Sequence, residues 1–316
     1  MSTMVSGKTG VCTLFEGDYH YGLAAFVNSL VRSGYDGPVW AGYRGAMPPW
    51  LDQLERKTDS CTYVVAGKIY LTFVPIETDL HFTNYKPQFM LDLLAGPASD
   101  FRYLWYFDPD IFIRCRWSFF AEWQQHGIAL CHEIVTNICP ADSPLRHQWM
   151  QFAAGIGLSN PRPLNYYFNG GMVGVSAFHA SFLHTWRKIL EAAEVVGCDR
   201  TVFRGEKWGR DQPFMASDQD ALNVAAMYSE HPLTTMGPEA MGFIHAGFTM
   251  YHAVGAKPWR TSFITRALAG VPPSGADKFF LTQVSSPIRV YSPQHLYRRR
   301  ISCSIAAFIG RFYTRR

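Results

Sequence analysis

The first 43 residues restrict the fold more than any other stretch. Val11 to Phe15 is an apolar run of strand length, broken by the polar Glu16-Gly17-Asp18. Gly22 to Ser33 follows with Leu23, Phe26, Val27, Leu30 and Val31 at helical spacing, and Ser33-Gly34 stops it. Glycine suits that stop because it enters the left-handed cap conformation without a Cβ clash. Pro38 to Tyr43 then reads as a second strand. A strand–helix–strand unit of this kind implies parallel strands in an α/β fold. Such sheets bind ligands beyond the carboxyl ends of their strands, so the loop from Glu16 to Tyr21 lies on the expected ligand side.

The same reading continues along the chain. Pro48-Pro49 breaks it, and Trp50 to Arg56 reads as a short helix. Tyr63 to Val65 and Ile69 to Val74 read as strands, and Tyr85 to Leu94 as a helix with Phe89, Met90, Leu93 and Leu94 inward. Strands are expected at Tyr103 to Phe107, Ile111 to Ile113 and Ile128 to Cys131, and a helix at Arg146 to Phe152. Asn169-Gly170-Gly171 reads as an interruption before a strand from Met172 to Val175. Helices follow at Phe178 to Ala193 and Ser217 to Met227, with Gly197 to Phe214 a polar loop between them. The expected organisation is one domain over residues 1–275 and a tail over residues 276–316.

Composition excludes several classes. Apolar residues make up 48% of the 316, enough to build a large core and too many for a disordered chain. The seven cysteines are odd in number and widely spaced, with no CxxC pair, which argues against a disulfide framework and a thiolate zinc site. Met1 to Gly10 shows no secretory pattern, and no run of about 20 apolar residues suits a membrane span. A cytoplasmic location is expected. Seven of the 29 lysines and arginines fall from Arg289 onward with no acid among them, so the 25 acids outnumber the bases elsewhere. That balance argues against a nucleic-acid-binding body and assigns the basic contact to the C-terminus.

The chemistry is most visible at Tyr103-Leu104-Trp105-Tyr106-Phe107-Asp108-Pro109-Asp110. Two carboxylates stand two residues apart where a hydrophobic strand surfaces. Pro109 favours extended backbone at Asp108, which sends both side chains to one side. Adjacent like charges repel unless a cation lies between them, and Mn²⁺ or Mg²⁺ suits oxygen ligands and bridges to phosphates. The same pair could serve a phosphohydrolase or phosphotransferase, with an aspartate nucleophile. A carbohydrate-binding α/β protein without catalysis is the non-enzymatic alternative.

With this motif the sequence resembles the GT-A glycosyltransferases that carry a DxD signature, and most of all glycosyltransferase family 8, the retaining galactosyl- and glucosyltransferases. The resemblance covers roughly residues 11–260 in four blocks: Val11 to Leu30; Asp108-Pro109-Asp110; Tyr167-Phe168-Asn169-Gly170-Gly171-Met172-Val173 with Asp218-Gln219-Asp220-Ala221-Leu222-Asn223; and His252-Ala253-Val254-Gly255-Ala256-Lys257-Pro258-Trp259. It implies a Rossmann-like mixed sheet flanked by helices. By the same resemblance Glu16, Asp18 and Tyr19 hold the base and ribose, and Lys86 approaches the donor. Asp108, Asp110 and His252 bind the metal, and Gly255 and Lys257 meet the diphosphate. Asn169, Asp218 and Gln219 lie beside the donor sugar at the reaction centre. Two features depart from the family: Pro109 replaces a small residue, and the spacing from Gly255 to Lys257 is one residue short. His245 is a rival to His252.

The implied activity is transfer of a hexose from a nucleoside diphosphate sugar, UDP-sugar first, to a glycan or lipid-linked saccharide, with retention. An inverting enzyme would need a carboxylate base, for which Glu133 and Asp218 are the candidates. Trp149, Tyr166 and the stretch Phe203 to Phe214 are expected around the acceptor. In the tail, Tyr297, Ile301, Ile305, Phe308 and Phe312 share a helical face flanked by Arg298, Arg300 and Arg311, the pattern of a helix lying on an anionic membrane surface.

Overall fold

The computed structural model describes residues 7–58, 61–134, 137–203, 213–244 and 247–313. In chain order its strands are β1 (Thr9–Glu16), β2 (Gly37–Arg44), β3 (Glu55–Arg56), β4 (Thr62–Val65), β5 (Ile69–Pro75), β6 (Tyr103–Phe107), β7 (Ile111–Ile113), β8 (Ile128–His132), β9 (Phe168–Ser176), β10 (Leu233–Met236) and β11 (Met250–His252). Its helices are α1 (His20–Ser33), α2 (Phe82–Ala95), α3 (Trp117–Trp123), α4 (Pro144–Gly155), α5 (Ala180–Ala192), α6 (Ser217–Met227), α7 (Phe263–Leu268), α8 (Gly275–Gln283) and α9 (Pro293–Ile309). The chain forms two compact units that interleave in sequence. The first comprises the chain to Leu14, Ile76–Phe107 and Phe120–Pro238; the second comprises Phe15–Pro75, Asp108–Phe119 and the chain from Glu239.

The first unit is built on the strand order β10-β8-β9-β6-β1. β1 runs parallel to β6, and β10 to β8, whereas β9 lies antiparallel to both β6 and β8. The sheet is therefore mixed. β6 is buried along its whole length, so its alternating side chains meet apolar partners on both faces. Trp105 packs on Phe120 and Trp123 and donates from its indole N–H to Gln124 at 2.8 Å. Tyr106, one residue on, lies under the ammonium of Lys86 from α2. β9 accepts this crowding through Gly174, where an added Cβ would stand 2.6 Å from the Trp105 ring.

The second unit carries the order β2-β5-β4-β3 and a separate antiparallel pair, β7 and β11. α1 packs against β7 and α8. Its end is set as the sequence indicates: Gly34 adopts φ +85° and its N–H reaches the carbonyls of Leu30 and Val31. The core combines Phe112, Trp259, Phe263, Phe280, Leu281, Leu296, Cys303 and Ala306. The segment beginning at residue 276 thus supplies several of these side chains from α8 and α9.

Two local expectations change. Trp50 to Arg56 is a 3-10 turn at Leu51–Gln53 followed by β3, because Glu55 and Arg56 pair with Val64 and Tyr63 of β4. Asn169-Gly170-Gly171 does not interrupt the strand: β9 runs through it, with the register to β8 shifting between Leu130 and Cys131. A bulge absorbs the irregularity that the glycines suggested.

Candidate functional site

Among the described residues, each unit gathers part of the expected site into a polar cluster. In the second unit, the chain leaves the apolar β6 and presents Asp108 and Asp110 on either side of Pro109. β7 then pairs with β11 so that Ile111 lies opposite His252. This register brings the imidazole to the carboxylates, its Nε2 being 3.4 Å from Asp110 and 3.8 Å from Asp108. One ligand atom from each of the three residues lies within 4.8 Å of the others. The segment is fixed by backbone bonds, from Ile111 N–H to Asp108 and from Ala253 N–H to Asp110, both 3.0 Å. Gly22 of α1 permits the close approach of Pro109, whose carbonyl oxygen would be 2.5 Å from a Cβ there.

Asp110 is 3% exposed. Burial alone would raise its pKa, but the charges and hydrogen bonds of Lys257 and His252 hold it well below the ordinary carboxylate range. Lys257 donates to Asp110 at 2.5 Å and to the Ala253 carbonyl at 2.9 Å. Its own pKa is raised because Asp110 and its neighbours outweigh the effect of burial. Two hard carboxylate oxygens and an imidazole nitrogen, with an ammonium already lodged at the acidic oxygen, form a donor set that fits Mn²⁺ or Mg²⁺.

The β1–α1 loop belongs to the same unit. Tyr19 packs edge-on against Trp259 at 5.3 Å, and the Lys257 ammonium lies 5.7 Å from its ring centroid. Glu16 is held by Arg44 at 2.7 Å, and Asp18 by the Nε and one Nη of Arg260. The hydrogen bond from Arg260 also lowers the Asp18 pKa. Sequence reading missed these two arginines. Arg44 carried a signal, standing at the carboxyl end of the second strand. Gly255 takes φ +74° in the turn between His252 and Lys257. His245 lies outside the described residues.

The first unit gathers the remaining expected residues. Lys86 is 2% exposed and donates to the Gly170 carbonyl at 2.9 Å and to Asp218 at 3.1 Å. The Gly170 N–H donates to Gln219 at 2.9 Å, and the Gly171 N–H to Asn169 at 2.8 Å. Asn169 donates in turn to Glu133 at 2.5 Å, whose other oxygen accepts from the Ile134 N–H at 2.7 Å. The α6 segment is thereby tied to the glycine bulge of β9. Asn223 completes the tie by bonding both the N–H and the carbonyl of Phe168.

Asp220 points the other way. It accepts from the Tyr167 hydroxyl at 2.6 Å and from the Ala216 N–H at 2.7 Å. Burial dominates these bonds and pushes its pKa up to about 7. Of the side chains expected around an acceptor, Trp149 is buried and donates to the Pro213 carbonyl, Phe214 is buried, and Tyr166 and Phe203 are exposed. Residues 204–212 of that stretch lie outside the described residues.

No protein-family profile matches the chain, and no curated protein sequence matches it either. Solved structures do. One is the apo structure of the bifunctional glycosyltransferase WbbM, with a TM-score of 0.55 and 14% identity, the match covering 95% of this chain and 53% of that one. The chain thus spans about half the length of that protein. At this identity the likeness shows the fold alone: a mixed α/β sheet flanked by helices.

Proposed function

We propose that this protein is a metal-dependent glycosyltransferase of the family 8 kind, transferring a hexose from a nucleoside diphosphate sugar to a hydroxyl of a glycan or lipid-linked saccharide. The observation that carries the reading is the meeting of Asp108, Asp110 and His252 within 4.8 Å, beside Lys257. A divalent cation bound there supplies Lewis acidity toward the diphosphate leaving group. Asp108 and Asp110 offer the oxygens that hold it, and His252 the nitrogen. Lys257 adds a positive charge that strengthens its hold as charge moves onto the diphosphate. Tyr19, with Glu16 and Asp18 fixed by their arginines, forms the nucleotide side, and UDP is the first donor to test.

On the sugar side the reading assigns Asn169, Asp218 and Gln219. Lys86 donates to Asp218 and fixes its carboxylate. Retention follows from the family resemblance. Glu133, hydrogen-bonded to Asn169, is the carboxylate to watch if the product is inverted. A lipid-linked acceptor suits a peripheral position on the cytoplasmic face of a membrane. No described helix is long and apolar enough to cross one.

Asp110→Ala tests the reading. Electrostatic groups of this kind contribute about 10² to 10³ in rate, so turnover of a donor sugar with Mn²⁺ is expected to fall by that factor. The variant is expected to keep the wild-type circular dichroism spectrum and to lose Mn²⁺-dependent thermal stabilisation. Full turnover by the variant would refute the assignment, and release of phosphate from simple phosphoesters by the wild type would redirect it to phosphohydrolysis. The anomeric configuration of the product, read by NMR, decides between retention and inversion.

A further inference from the structure

The second unit has a cavity whose chemistry the transfer reading leaves unused. It measures about 650 Å³ and lies between α7 and α9, lined by Arg260, Ser292, His295, Arg298, Arg299 and Ser302 among others. No acid lines it. Arg260 is already paired with Asp18, so the uncompensated charge comes from Arg298 and Arg299. Arg298 is exposed and has no ion-pair partner among the described residues. The Arg299 guanidinium lies over the rings of Phe263 and Tyr291, 5.2 and 5.4 Å from their centroids, and one of its Nη atoms donates to the Pro258 carbonyl. Its Nε is buried and has no hydrogen-bond partner among the described residues. A buried guanidinium N–H left unbonded costs free energy unless a ligand supplies the acceptor. The first turn of α9, capped by Ser292, adds the positive end of a 17-residue helix to the same cavity.

What adjoins this cavity selects the ligand. α9 buries Leu296, Cys303 and Ala306 in the core of its unit. A second face of the same helix carries Tyr297, Ile301, Ile305 and Phe308, which continue to Phe312 and are all exposed, Phe308 by 58% and Phe312 by 77%. Helical geometry places the cavity-lining positions 295, 298, 299 and 302 between that apolar face and the core face. A basic pocket beside an apolar stripe matches an amphiphile with an anionic head and a hydrocarbon tail. We propose that the cavity between α7 and α9 seats the phosphate headgroup of an anionic phospholipid at a bilayer surface, with Arg298 and Arg299 on the phosphate and the exposed face of α9 entering the acyl boundary. The cavity borders the proposed nucleotide side through Arg260, which holds Asp18, but the lipid proposal does not depend on the donor reading.

Flotation of the full chain with vesicles tests the proposal. The wild type is expected to float with vesicles containing phosphatidylglycerol and not with phosphatidylcholine alone. Arg298→Glu reverses a charge at the surface and is expected to lower the bound fraction at least about tenfold. Ser302→Glu, which sets a carboxylate in the cavity, is expected to do the same. The double variant Ile305→Ser, Phe308→Ser should also fail to float, because it removes apolar surface without touching the charges. Equal flotation of any of these variants and the wild type overturns the proposal, as does equal binding to phosphatidylcholine. Thermal stabilisation by inorganic phosphate that depends on Arg298, in a protein that floats with no vesicle, identifies a free-anion site and also overturns it. Donor turnover without vesicles is expected to be unchanged in every variant, so its loss reports on the transfer site and not on this cavity.

Discussion

At the scale of single residues, the first unit stores an unusual proton. Asp220 is buried, and its pKa stands near 7 against an ordinary value of 3.8. From about pH 4 to about pH 7 the native state therefore holds a proton that the unfolded chain has released. The unfolded state binds fewer protons over that window, so stability falls as pH rises through it and levels off above. This contribution can reach about 1.4 kcal/mol per pH unit. Asp110 has the opposite sign, since its lowered pKa costs stability only in acid. Asp220→Asn removes the titration, and urea unfolding at several pH values should show a flatter decline above pH 5 than in the wild type. Parallel slopes would mean that Asp220 is ionised in the native protein. Within Asp218-Gln219-Asp220 the family resemblance singled out Asp218 and Gln219 and gave Asp220 no role, but no local pattern in the sequence carries that division. That division depends on which carboxylate meets Lys86 and which meets Tyr167, and both partners are distant in sequence.

At the scale of elements, the carboxylate pair depends on how closely α1 approaches the turn after β6. Alanine is the better helix former by about 1 kcal/mol, so Gly22→Ala in an uncrowded helix would stabilise it. Here the new Cβ would meet the Pro109 oxygen at 2.5 Å and the Trp259 ring at 2.8 Å. Overpacking of this kind costs about 1 to 3 kcal/mol and outweighs the propensity gain. Gly22→Ala is expected to lower the melting temperature and to weaken Mn²⁺ binding by shifting Asp108 and Asp110. Gly155→Ala at the end of α4, where a Cβ meets nothing within 4 Å, serves as the control and should do neither. Mn²⁺ titration by calorimetry reads both. The strands and helices of this region were legible because each is a compact apolar run between polar breaks. β11 was not: its three residues resemble any loop, and only pairing with β7 makes them a strand that delivers His252. The histidine was found through the family resemblance, and pattern alone would not have separated it from His245.

At the scale of the whole molecule, the order of the chain hides its organisation. The two units exchange the chain at Leu14, Pro75, Phe107, Phe119 and Pro238, so no linker of glycine, serine or proline marks a boundary. Compactness was accordingly readable from composition, and the partition was not. The C-terminal segment shows the physical reason. Its arginines and its solvent-facing aromatics dominate the sequence pattern, whereas Leu296, Cys303 and Ala306, which bind it to the core, are few and small. Polar ties add to them: Gln53 exchanges two hydrogen bonds with the Arg289 backbone, and Arg300 donates to the Leu281 carbonyl. A chain ending at residue 288 loses all of these and uncovers Phe263, Phe280 and Leu281. Full burial of a leucine-sized side chain is worth about 1.5 to 3 kcal/mol, and domains are stable by only about 5 to 15 kcal/mol. The shortened chain is therefore expected to unfold at a clearly lower urea midpoint and to expose sites in the second unit to limited proteolysis. An unchanged midpoint would mean that α9 contributes nothing to that core. The expected loss has a practical consequence: deletion cannot separate a docking role of α9 from its structural one, whereas substitutions on its exposed face leave the buried contacts in place.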